Sequence, residues 1–238
     1  MFASLRAVLF NDPLIVLATI VMGTVSLVTS LFDASGRAQH GVARLWARML
    51  LAIPGIRVRV EGLERINPDA SYVFAANHLS YMDTPLVIAH IPSQFRFLAK
   101  KSLFRVPFIG YHLRRAGHIP VPRGDARASL KTMAEAARIV RERGISVLVF
   151  PEGGRSPGPM EEFKEGAAYI AIKAGVPIVP VGIAGTREVL PMDSLLVRGG
   201  DVQLRIGEPI ATAGMNIRDR VGLTAEVQAR VMELVKPL

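Results

Sequence analysis

Tyr72-Val73-Phe74-Ala75-Ala76-Asn77-His78-Leu79-Ser80-Tyr81-Met82-Asp83-Thr84-Pro85 is the stretch that decides the fold. Tyr72 to Ala76 is a short strand-like run, Asn77 to Asp83 a polar loop, and Thr84-Pro85 opens a helix, since proline suits the first helical turn. The same pattern continues outward. Arg57 to Glu61, Phe95 to Ala99, Ser146 to Phe150, Ile178 to Ala184 and Val202 to Ile206 also read as strands. Helical periods fall between them. Leu130, Met133, Ala134, Ala137 and Val140 mark one helix, started by Asp125 and stopped by Gly144. Ala167 to Ala174, stopped by Gly175, and Val221 to Val235 mark two more. Strands alternating with helices predict an α/β fold with a mixed, largely parallel sheet flanked by helices.

Upstream of Arg57 the pattern differs. Leu14 to Phe32 is a run of 19 residues without a charge. As a helix it would be about 28 Å long, marginal against a hydrocarbon core of roughly 30 Å. Val42, Leu45, Trp46, Met49, Leu50 and Ile53 then recur at helical spacing, with Arg44 and Arg48 off the stripe. The expectation is a membrane-associated helical hairpin over residues 1–54, turned by Asp33 to Gly36, its second helix at the interface with arginines toward anionic headgroups. Residues 55–238 form the α/β body, with the boundary near Pro54-Gly55. The alternative is a buried core helix packed on an amphipathic partner. A cleaved signal peptide is disfavoured, because Arg6 is the sole basic residue ahead of the apolar run and no small-residue cleavage site follows it.

The composition fits a folded protein with an anionic partner. The 238 residues are 50% hydrophobic, with 29 Lys+Arg against 20 Asp+Glu, a formal net charge of +9 and no cysteine. Mean hydropathy is +0.32 and the pI is near 10.4. Without cysteine there is no disulfide framework, zinc–cysteine site, iron–sulfur cluster or cysteine nucleophile. The charge excess is local: residues 94–127 carry eight Lys+Arg and one acid. Nucleic acid, an anionic membrane and an anionic small substrate all suit such a balance. No nucleic-acid-binding signature or set of stacking aromatics accompanies it.

Two loops carry residues suited to chemistry. In Asn77 to Asp83, His78 is the side chain best matched to take a proton near neutral pH, and Asp83 could hold its tautomer. Residues five apart lie on different faces of a regular helix, so the pair meets only if the chain turns between them. Otherwise Asp83 is a helix cap and His78 a loop residue. The second loop, Phe150-Pro151-Glu152-Gly153-Gly154-Arg155-Ser156-Pro157, pairs glycines that admit close backbone approach with an arginine fork suited to phosphate.

Together these loops resemble the glycerolipid acyltransferases. His78 and Asp83 match the family's His-x-x-x-x-Asp motif, and Phe150 to Ser156 is similar to its Phe-Pro-Glu-Gly-Thr-Arg-Ser motif, with Gly154 where the family has Thr. Gly117 to Arg123 and Val176 to Val181 resemble two further blocks, in the family's order, as does Ala99-Lys100-Lys101 with Pro107 and Gly110. The likeness covers roughly residues 55–210 and extends in length and wording to the lysophosphatidate acyltransferases.

The resemblance implies a glycerophosphate acyltransferase-like fold and transfer of an acyl chain from acyl-CoA or acyl-carrier-protein, as co-substrate, to the sn-2 hydroxyl of 1-acyl-glycerol-3-phosphate. His78 would be the base and Asp83 its orienting partner. Arg155, Lys100 and then Arg123 would bind the acceptor's phosphate, with Lys101 as a fallback. Glu152 would hold the glycine loop or a substrate hydroxyl, and Gly153 and Gly154 would present backbone N–H groups. No acyl-enzyme, cofactor or metal is implied, because acyl transfer by an imidazole base has no step that needs one. His40, His90, His112 and His118 lack both motif and partner and read as structural. The lipid acceptor places the protein at the cytoplasmic face of the cell membrane. The competing expectations are another acceptor (glycerol-3-phosphate, another lysophospholipid, a lyso-aminolipid) or a non-catalytic membrane-surface scaffold.

Overall fold

A computed structural model describes residues 5–33, 35–106, 109–122, 124–155 and 157–236. In chain order a π-helical turn (Ala7–Asn11) runs into α1 (Asp12–Thr29), followed by α2 (Arg37–Ala52), β1 (Ile56–Glu61), β2 (Val73–Ala76), α3 (Asp83–His90) and β3 (Phe95–Lys100). Then come α4 (Ile109–Arg115), β4 (Ile119–Val121), α5 (Ala126–Arg143), β5 (Ser146–Val149) and α6 (Gly166–Ala174). The chain ends with β6 (Ile178–Ala184), α7 (Thr186–Val189), β7 (Gly200–Ile206) and α8 (Arg220–Leu234). These elements fall into two compact units: Met1–Glu61 with Leu79–Ile91 and Ile183–Leu204, and Gly62–His78 with Pro92–Gly182 and Arg205–Leu238.

The second unit is built on parallel strands in the order β6-β2-β5-β3-β4. An antiparallel bridge between Ile178 and Ile210 makes the pairing mixed. Alternate residues face opposite sides of a strand. Val73, Ala75, Val147 and Val149 accordingly join one buried cluster with Ala136, Ala137 and Val140 of α5, Ala167, Ile170 and Ala171 of α6, and Leu223, Val227 and Val231 of α8. Phe74 and Leu148, on the other side, are buried as well. Strands covered on both faces are therefore apolar throughout rather than alternating. The predicted helix signals operate as read. The Asp125 carboxylate accepts the Ala128 N–H at 2.9 Å at the start of α5, and Gly144 ends it at φ 62°. β4 has no counterpart among the predicted strands, being three residues long and centred on Pro120.

In the first unit α2 packs against both α1 and α3. The side turned inward overlaps the predicted stripe in part: Leu50 of the stripe is buried and Val42, Trp46, Met49 and Ile53 are half-buried. Gln39, Ala47, Leu50 and Leu51 are buried while Leu45 is 52% exposed. The stripe counted only large apolar residues, whereas Ala47 is what lets a neighbouring helix approach. Arg44 points at α3 rather than into solvent, donating to the Ile91 carbonyl at 2.8 Å, a favourable place for a cation at a helix C-terminus.

The π turn and α1 are inside-out for a core helix. Ala7, Asn11, Ala18 and Ser26 are buried, while Phe10, Leu17, Ile20 and Val25 stand exposed. The small residues supply the packed side, and the Trp46 Nε1–H donates to Thr19 Oγ1 at 3.1 Å. Over Ala7–Thr29 this is a 23-residue segment long and apolar enough to cross a membrane. After it, the Asp33 carboxylate accepts hydrogen bonds from the Ser35 hydroxyl and from the Ser35 and Ala38 amides, which hold it down at about 2.

Candidate active site

Parallel β2 and β5 are neighbours, with Ala75 opposite Val149. Their following loops therefore leave the same edge of the sheet, one with Asn77-His78 and the other with Phe150-Pro151-Glu152. Ligands of open α/β sheets collect at this carboxyl edge. The His78 ring lies almost parallel to Phe150 with centroids 4.0 Å apart, and Phe150 stacks in turn on Phe97 at 6.3 Å. A ring seated on an aromatic face has little freedom to turn away from the edge.

Glu152 joins the two loops. It is 3% exposed, and its Oε1 accepts the backbone N–H of His78 at 2.6 Å while Oε2 accepts the Glu161 N–H at 3.0 Å. Burial raises its pKa above the usual 4.5, and the Glu161 and His78 amides draw it part of the way back. Its oxygens are thus spent on backbone amides, the arrangement that holds a loop. Gly153 follows at φ +79°, in the left-handed region where glycine alone is unstrained, and donates to the Phe150 carbonyl at 3.0 Å. A Cβ at Gly153 would lie 2.5 Å from the Lys164 ammonium. Lys164 returns to this loop because its own N–H donates to the Pro151 carbonyl at 3.0 Å. It places a cation against the glycine turn that the sequence reading did not single out.

Gly154 and Arg155 continue the loop, both half-buried. Lys100 is exposed at the last position of β3, at the same carboxyl edge, opposite Val121 of β4. Arg123 and Ser156 lie outside the described residues. The basic stretch is not one patch. Arg96 is 4% exposed within β3, and Arg114 donates to the Phe104 carbonyl. His118 Nδ1 accepts the Phe97 N–H at 3.0 Å, His90 Nδ1 lies 2.9 Å from the Leu86 carbonyl, and burial lowers the pKa of His112.

In the first unit, Asp83 is the opening residue of α3 and fully buried. Its carboxylate turns back along the chain rather than capping its own helix. Oδ2 accepts the Leu79 N–H at 2.6 Å and the Ser80 N–H at 2.9 Å, and Oδ1 accepts the Thr186 hydroxyl at 2.5 Å. The chain does turn between 78 and 83, as the motif requires, and the turn is held by the amide that follows His78 in sequence. Thr186 is the second residue missed by sequence reading. Its signal was its place, directly after Gly185 at the end of strand Ile178 to Ala184. Gly185 is at φ +83°, and a Cβ there would meet the Asp201 carbonyl at 2.1 Å.

Residues 57–184 match the family model described as Acyltransferase. The chain belongs to that family. It is 34% identical over 184 residues to the chloroplastic 1-acyl-sn-glycerol-3-phosphate acyltransferase BAT2 of Brassica napus, covering 76% of this chain and 53% of the relative. To the human 1-acyl-sn-glycerol-3-phosphate acyltransferase alpha it is 28% identical over 198 residues, covering 83% and 70%. The chain thus spans about half the length of the plant relatives it matches. Among solved structures, the crystal structure of the 1-acyl-sn-glycerophosphate (LPA) acyltransferase PlsC from Thermotoga maritima superposes with a TM-score of 0.80 at 27% identity, covering 97% of this chain and 93% of that one.

Proposed function

We propose that the protein transfers an acyl chain from acyl-CoA or acyl-carrier-protein to the sn-2 hydroxyl of 1-acyl-glycerol-3-phosphate, giving phosphatidate. The observation that carries this reading is the anchoring of His78: its ring stacked on Phe150 and its backbone N–H bound by Glu152, at the carboxyl edge of a parallel sheet. The names of the relatives and of the solved structure supply the substrate class.

In the mechanism, His78 takes the proton of the sn-2 hydroxyl as its oxygen attacks the thioester carbonyl. The tetrahedral intermediate collapses with cleavage of the carbon–sulfur bond, and the imidazolium returns its proton to the leaving thiolate. Asp83 orients His78, a role supported by its full burial and its hold on the adjoining amide. Arg155, Lys100 and Arg123 bind the acceptor's phosphate, with Gly153 and Gly154 presenting N–H groups, and Lys164 adds a charge beside the glycine turn. No acyl-enzyme forms. The apolar helix over Ala7–Thr29 and α2 seat residues 1–54 at the cytoplasmic membrane face, which brings the lipid acceptor to the body of residues 55–238.

The test is acyl transfer from oleoyl-CoA, palmitoyl-CoA and an acyl-carrier-protein donor to lysophosphatidate by the purified protein and by His78→Ala. The variant is expected to lose activity, and equal rates would sink the mechanism. Activity in neither, across acceptors with and without phosphate, would favour a scaffold. Arg155→Ala should raise the KM for lysophosphatidate much more than that for a phosphate-free acceptor.

A further inference from the structure

The first unit contains a cavity of about 400 Å3 that shares no residue with the His78 loop or with the proposed phosphate binders. Its polar lining is Arg6, Asn11, Arg57, Glu188 and Arg198, three guanidinium groups against one carboxylate. Arg57 is held in place by a two-pronged pairing with Asp201, Nε to Oδ1 at 2.7 Å and Nη2 to Oδ2 at 2.6 Å, which leaves the Nη1 edge of its fork for another acceptor. Asn11 is fixed by its Nδ2–H donated to the Val197 carbonyl at 2.9 Å. Close backbone packing forms one wall, since a Cβ at Gly199 would sit 2.7 Å from the Pro54 carbonyl. Arg57 and Asn11 are thus oriented by partners, while Arg6 is exposed.

Its place in the chain points to the ligand. Arg6 lies in the first described turn of the N-terminal helix, and Val8, Leu9 and Phe10 just after it are exposed. A cationic cavity at the root of an exposed apolar helix matches the junction of headgroup and acyl chain. Guanidinium forks suit phosphate oxygens. We infer that this cavity binds a phosphate group, that of an anionic lipid headgroup, and so anchors the base of the N-terminal helix in the leaflet.

The experiment uses the full chain and two variants. One is Arg6→Gln/Arg198→Gln. The other is a charge-matched control, Arg141→Gln/Arg143→Gln, on the exposed end of α5. Flotation is measured with vesicles of phosphatidylcholine alone and of phosphatidylcholine mixed with phosphatidylglycerol. Melting is followed in detergent with and without inorganic phosphate at matched ionic strength. The cavity variant should bind the anionic vesicles roughly tenfold more weakly than the parent, with the control close to the parent. Equal losses in the two variants would reduce the effect to bulk charge and overturn the inference. Stabilisation of the parent by dissolved phosphate, absent in the cavity variant while vesicle binding is unchanged, would assign the cavity to a soluble phosphate and overturn the lipid source. If the double variant melts early, Arg6→Gln alone, at an exposed position, gives the same comparison.

Discussion

The backbone N–H of His78 donates to the Glu152 carboxylate at 2.6 Å. The proposed base is thereby fixed through its main chain by a residue that follows another strand, and through its ring by Phe150 of the same loop. A buried carboxylate with both oxygens on amides has no easy substitute, because each amide left unpaired costs desolvation energy.

Glu152→Gln should therefore be more damaging than its near-identical shape suggests. The amide side chain keeps one acceptor oxygen and turns an NH2 group toward the other N–H. The expected cost near neutral pH is about 1 kcal/mol of stability, since relief of the buried charge offsets part of the lost acceptor, which at this chain length is a fall in melting temperature of a few degrees. Misplacement of His78 should lower kcat by roughly ten- to a hundredfold. Calorimetry and steady-state kinetics on the same preparation check both. A melting shift without a kcat loss would make Glu152 a loop brace alone.

Thr186→Val should break the hydroxyl donation to Asp83 while keeping the shape of the side chain. A hydrogen bond to a buried charge is worth about 1.5–3 kcal/mol, and Thr186→Ser should restore most of it. Melting curves and acyl-transfer rates for the two variants separate lost bonding from altered packing. Equal behaviour of Val and Ser at this position would remove Thr186 from the Asp83 network.

Gly153→Ala meets two obstacles, the left-handed φ and the Lys164 ammonium. A flexible lysine can move aside, whereas the backbone strain of about 1–2 kcal/mol stays. Adding Lys164→Ala should accordingly leave most of the stability loss in place. Full thermal recovery in the double variant would show that steric overlap, not the dihedral angle, makes glycine necessary.

What the sequence revealed and what it hid follow from the range of the interactions. His78, Asp83 and Glu152 stood out as candidates through the motifs they resemble, in short loops between strand and helix signals, and the parallel sheet was legible from apolar runs separated by helical periods. Thr186 was not, since its bond to Asp83 spans 103 residues and leaves no local mark. Lys164 looked like one charge among many until the chain folded it back onto Gly153. The inward side of α2 was legible only in part, because a count of large apolar residues finds Leu50 and ignores small buried ones such as Ala47. β4 escaped because pairing with β3, not its own Pro120-centred sequence, makes it a strand.

The inside-out pattern of α1 predicts an inverted response to substitution. Ile20 is 62% exposed, so Ile20→Ser should leave melting in detergent almost unchanged while weakening binding to lipid vesicles. Ala18 is 4% exposed, so Ala18→Leu should wedge its helix from its neighbours and cost about 1–3 kcal/mol by overpacking. The ordinary soluble-helix outcome, destabilisation at Ile20 and tolerance at Ala18, would overturn the packing described.

Acid should act on Glu152 in opposite senses for stability and for activity. Burial raises its pKa above 4.5. Between 4.5 and that raised value the folded protein holds a proton that the unfolded chain has released, so this group's contribution to stability grows as the pH falls through the window. Catalysis should fail in the same window, because a protonated carboxyl directs an O–H toward one of the two amides that it accepts when charged. Asp33 does not confuse the comparison. Held at about 2, its contribution is constant above its ordinary 3.8 and is lost only as the pH falls below that. The measurement is melting temperature and kcat against pH for the parent and Glu152→Gln. The parent's advantage in melting should widen as the pH falls into that window, while its kcat falls there more steeply than that of the variant. An advantage that narrows over that range would mean that the fold prefers the charged carboxylate, and would reverse the assignment of burial as the dominant influence on this residue.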